Sequence, residues 1–156
     1  MKAKMFRQRG QSFVEMALVL PILLILLGGV IDLGRGLIIL VAVENAAGEG
    51  ALYGAIHPEC LTDDHAATIC QGPESVPGRV REEGSPVIDL TEANSVITVS
   101  IDGDAPIVAG STLLVTVVHT YSPLTPLGHL LWGDIARVEA TARQEILSPP
   151  PPGYRY

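Results

Sequence analysis

His57, Cys60, His65 and Cys70 place four side chains able to ligate a metal within 14 residues, and Cys60 and Cys70 are the only cysteines. A disulfide closing that short loop is the leading reading, because the topology argued below puts both thiols outside the cytoplasm, where thiols are usually oxidised. Zinc is the sharper alternative, although the spacing matches no standard finger. Two free thiols in a reducing niche are the third. Asp102, Gly103 and Asp104 could seed a calcium loop, but further oxygen ligands and a terminal Glu are lacking, so a plain hairpin turn is expected. His119 and His129 have no nucleophile motif near them, no G-x-S-x-G occurs, and "GVIDLGRG" fits no phosphate-binding loop. The residues therefore offer no active site: no catalytic residue, metal site or cofactor is expected, and the chain is not expected to be an enzyme.

Glu15 is the remaining oddity. It stands near the start of an apolar run that is uncharged from Met16 to Ile31. From Phe13 to Leu33 that segment makes a helix about 31 Å long at 1.5 Å per residue, which matches a bilayer's hydrocarbon thickness. A carboxylate there is expensive unless it has a partner. Lys2, Lys4, Arg7 and Arg9 precede the run with no acid among them, whereas residues 36–156 hold 15 acids against five Lys/Arg. The positive-inside rule then leaves the N-terminus in the cytoplasm and the acidic remainder outside. An acidic exported portion also excludes nucleic acid as a partner, since no clustered basic face is present. Ordinary signal peptidase cleavage is not expected: "DLGRG" follows Ile31 without a small-x-small site, and the nearest candidate, around Ala46 and Gly48, lies well past the run.

The elements that must position these groups follow from periodicity. No proline or turn cluster interrupts the stretch beyond the membrane until His57 and Pro58, so the helix is expected from about Gln11 to Ile56. Pro21 inside it frees the carbonyl of Ala17 and predicts a kink or opened turn. Asp32 and Arg35, three apart at the outer boundary, predict a weak local ion pair marking where the span stops. Small residues recur in two adjacent rows, Ala46, Gly50, Gly54 and Ala47, Ala51, Ala55. Such rows admit either another helix or the protein's own domain.

Residues 58–94 are rich in Pro, Gly and acids and read mostly as loop, with a short helix after Thr62 in "TDDHAATIC". Period two then takes over. Ile97, Val99 and Ile101 alternate with polar residues in "SVITVSID", as do Val138, Ala140 and Ala142 in "ARVEATARQEI". Both predict half-buried antiparallel strands. "STLLVTVVHTY" suits a central strand joined to the first by the hairpin loop "GDAPIVAG", and "SPLTPLGHLLWGD" a connection whose leucines and Trp132 cover one end of the sheet. The expected class is α+β: one long helix, transmembrane in its first half, on a small antiparallel sheet of three or four strands. The segments are a leader (1–10), a membrane helix (11–34), its exported continuation (35–57), the cysteine-bearing loop (58–94), the strand domain (95–147) and a Pro-rich tail (148–156).

"RGQSFVEMALVLPILLILLGGVIDLGR" resembles the N-terminus of TadE-like minor pseudopilins of tight-adherence (Flp, type IVb) pilus systems, and "AAGEGALYGA" resembles the family's Ala/Gly-rich continuation. Gly48 and Leu52 depart from it, standing where a basic residue often stands. The resemblance implies a pilin-like fold in a bacterial cytoplasmic membrane, crossed once. It implies cleavage by a prepilin peptidase between Gly10 and Gln11, and assembly with other pilin-like subunits and the pilus machinery. Glu15 becomes the fifth residue of the processed chain, one helical turn from a new α-amine that can pair with it. The alternative reading is a permanently membrane-anchored module that binds a ligand or cation outside the cell.

Overall fold

A computed structural model describes residues 4–62, 70–91, 93–102 and 107–148. Helix α1 runs Lys4–Ile56. It begins earlier than expected, in the basic leader, because residues 4–9 hold neither Gly nor Pro and a single glycine, Gly10, weakens a helix without ending it, and it continues through Pro21. From Gly10 onward it is long and apolar enough to cross a membrane. The expected helix after Thr62, His65, most of the DGD segment and the Pro-rich tail beyond Ser148 lie outside the described residues.

The structure divides into two units. One holds Gly36–Tyr121 and 137–156. Its sheet has the order β1 (Ser95–Ile101), β2 (Thr112–Tyr121), β3 (Ala136–Glu145), so the strand expected to be central is central. Strands β1 and β2 pair antiparallel from Ser95 opposite His119 to Ile101 opposite Leu113. Strand β3 runs antiparallel to β2: Gly110 N donates to Ile146 O and Ile146 N to Ser111 O at one end, and Thr116 faces Thr141 further along, hydroxyl to hydroxyl at 2.9 Å. Period two decides the faces. Leu113, Val115 and Val117 are fully buried on the inner face, with Ile97, Val99, Ile101, Val138, Ala140 and Ala142 beside them.

The helical side of that core comes from Ile39, Val43, Ala46, Ala47 and Ala51 of α1. A second helix, α2 (Val76–Gly84), adds Val76 and Val80, one turn apart. This helix stands where only loop was expected. Ser75 caps it, accepting from Gly78 N at 3.0 Å while donating to Gly72 O at 2.9 Å. Pro77 fits the first turn, where a missing N–H costs nothing. Gly78 is required by close approach, since a side-chain carbon there would collide with the Gly72 carbonyl. The last carbonyls of α1 are met by the strand exit: Leu147 N donates to Ala55 O at 2.9 Å and Ser148 Oγ to Ile56 O at 3.1 Å.

The other unit holds residues 1–35 and 122–136. Within it, a seven-residue helix, α3 (Pro126–Trp132), interrupts what was expected to be a plain connection. Thr125 caps it by accepting from Gly128 N at 3.2 Å. Of the side chains expected to cover the sheet, Leu127 is half-buried and meets Gly29 of α1, while Leu124, Leu130, Leu131 and Trp132 are exposed. A connection holding its own capped helix directs them outward, which corrects that expectation.

Candidate functional site

The amino-terminal half of α1 carries the residues singled out for processing and assembly. Gly10 is exposed, with open space where a side chain would start. The next residue, Gln11, donates from Nε2 to Oε1 of Glu15, one turn on, at 3.1 Å, the i,i+4 geometry a helix provides. Glu15 is exposed and shares a shallow, largely apolar groove with Ser12, Met16, Val19, Leu20 and Leu23. Exposed apolar side chains continue from Phe13 to Leu33. The site is thus a carboxylate at the foot of an apolar cylinder, with no neighbouring cation among the described side chains of its own face.

The two rows of small residues lie in the other unit and have an occupant. Ala46, Ala47, Ala51 and Ala55 are at most 2% exposed. A carbon added to Gly50 would meet Val80 of α2, and one added to Gly54 would meet Leu113 of β2 and Val76 of α2. Of the two expected occupants, the chain's own domain fills this face. Helix α2 approaches closely at Gly50 and Gly54.

Cys60 and Cys70 form a disulfide with their Cα atoms 5.1 Å apart. The bridge excludes zinc as the use of those sulfurs, and His57 Nδ1 lies 3.3 Å from Glu59 Oε1. Among the described residues, no group of three His, Cys, Asp or Glu side chains is placed to hold a metal. Near the bridge, Tyr53 packs 4.7 Å from the His57 ring, lies under the Arg79 guanidinium at 5.1 Å, and donates to Glu74 O at 3.0 Å. Partial burial pushes its phenol pKa up, against the pull of Arg79. His119 is buried with Nδ1 2.8 Å from Ser95 Oγ, its cross-strand neighbour in the ladder.

Asp32 was expected at an exposed edge. It is instead 3% exposed. Its carboxylate accepts from Leu124 N at 2.9 Å, Thr125 N at 3.0 Å and Thr125 Oγ1 at 2.5 Å. Arg35 donates to Ser122 O at 2.9 Å. These partners lie about 90 residues away in sequence, and the only local sign of them is a carboxylate interrupting an apolar run.

A family model described as TadE-like protein matches residues 10–52, all within α1 and ending short of the sheet. No curated protein and no solved structure matches the chain.

Proposed function

We propose, from the TadE-like match over residues 10–52, that this chain is a non-enzymatic, pseudopilin-like subunit that takes part in assembling a tight-adherence pilus. In this reading it sits once across a bacterial cytoplasmic membrane, N-terminus inward, until assembly draws it out. A prepilin peptidase cuts between Gly10 and Gln11, and other pilin-like subunits and the pilus machinery then receive the mature N-terminus.

The family match carries this reading, and the Gln11 to Glu15 pair supports its amine–carboxylate step. Cleavage would put a positive α-amine on the residue whose side chain already reaches that carboxylate, at 3.1 Å. Amine and carboxylate, in one subunit or between neighbours, would offset the cost of placing either in hydrocarbon. Gly10 has the open surroundings a peptidase needs, although the helix there must open to present its bond. With the small-residue rows covered by the chain's own domain, the exposed apolar side chains of α1, from Phe13 to Leu33 and again at Leu37, Ile38 and Val41, are left for neighbouring subunits.

N-terminal sequencing of protein from the membrane fraction, with the peptidase present, tests the cut. A first residue of Gln11 is the expected result. An intact leader under those conditions would remove the processing step from this account.

A further inference from the structure

We propose that α3 is a second membrane contact: Ser122–Gly133 lies in the outer interfacial layer of the bilayer beside the span, with Leu130, Leu131 and Trp132 facing lipid. The proposal rests on reading the first half of α1 as a membrane span. What fixes the level is where the connection is tied. Thr125 and Leu124 bind Asp32, and Gly28 and Gly29 make room for the same segment. A carbon added to Gly28 would stand 2.9 Å from Thr125 Cγ2, and one added to Gly29 would stand 2.6 Å from Leu127 Cδ2. Gly28 is five residues before Leu33, so the contact reaches about 8 Å below the outer end of the apolar run at 1.5 Å per residue.

A segment held at that depth beside the span cannot be surrounded by bulk water. Its composition agrees: residues 122–133, "SPLTPLGHLLWG", contain no Asp, Glu, Lys or Arg. Leu130 is 80% exposed and Leu131 61%. In water that would be an unusual concentration of bare leucine. In an interfacial layer it is the expected face, with Trp132 at the level where indole rings collect. The backbone is prepared for a dry setting as well. Asp32 takes the amides of residues 124 and 125, and the Thr125 hydroxyl takes that of Gly128. The continuous apolar surface from α1 onto α3 favours lipid over a separate protein as the occupant.

Trp132 is the only tryptophan, so its emission reports this segment alone. The full-length protein would be reconstituted into phosphatidylcholine vesicles, with separate samples carrying bromine near the glycerol end or near the methyl end of the acyl chains. The expected result is severalfold stronger quenching by the shallow bromines than by the deep ones, with little quenching by aqueous iodide. Iodide quenching without bromine quenching would overturn the proposal. Shielding from both would overturn it too, by placing another protein copy over α3. Alkaline carbonate extraction of the same vesicles checks the span separately. Resistance to extraction without bromine quenching leaves the span and removes the α3 contact, whereas extraction removes both.

Discussion

Leu113 Cδ2 stands 2.5 Å from where a side-chain carbon on Gly54 would begin, so the central strand and α1 meet at a distance only glycine permits. Gly48, on the same helix, has nothing within 4 Å of that position. The two glycines should respond oppositely. Gly54→Val overpacks the core and is expected to cost about 2 kcal/mol. Gly48→Ala removes helix-weakening backbone freedom and should add about 0.5–1 kcal/mol. Thermal unfolding of the full chain in detergent micelles measures both, and equal shifts would contradict the packing described.

The disulfide should be complete and stabilising. Alkylation of the full-length protein is expected to label neither cysteine before reduction and both after it. Closing a ring of about ten residues contributes on the order of 2–3 kcal/mol, so the Cys60→Ala, Cys70→Ala double variant should melt several degrees lower.

Removing the carboxylate that holds residues 124 and 125 should free their amides. In Asp32→Ala, hydrogen exchange at Leu124 and Thr125 is expected to rise roughly tenfold or more, the worth of a charge-assisted hydrogen bond. Unchanged protection at both amides would count against Asp32 as their partner.

The proposed processing and pairing separate by mutation. Gly10→Leu is expected to leave the leader attached, seen as an unprocessed mass in the membrane fraction. Glu15→Gln should insert normally yet enter pili poorly, and wild-type incorporation of that variant would disprove the pairing role while leaving the family match intact.

Tyr53 gives a pH signature. Its folded pKa is raised above the ordinary 10.0 by partial burial. The unfolded chain therefore loses this proton first, and stability falls as pH climbs from the unfolded value towards the folded one. Absorbance titration at alkaline pH should show Tyr53→Phe losing a late-ionising phenol.

Much of this arrangement was readable from the chain. The two outer strands followed from alternation at Ile97, Val99, Ile101 and at Val138, Ala140, Ala142, the central one from its apolar run, and the end of α1 from His57 and Pro58. Helix α2 was missed because Pro77, Gly78 and Gly84 look like loop chemistry, although Ser75 with Val76 and Val80 is a capped apolar turn. The Asp32 bonds were not legible because backbone amides from residues 124 and 125 leave no mark on composition. For the small-residue rows, sequence supplied the close approach but not its occupant, since a strand and a helix demand the same absence of side chain.

Among the described residues, the order β1, β2, β3 leaves two sheet margins, and they differ in how they resist self-association. Strand β3 carries Arg137, Glu139, Arg143 and Glu145, all exposed, and such charges discourage an incoming strand. Strand β1, "SVITVSI", has β-branched residues at five of its seven positions and neither a charge nor a proline. Strand β1 is thus the margin where misassembly begins when the domain is partly unfolded, and a lysine on its exposed side, at Thr98 or Ser100, is the place to improve solubility without touching the buried face.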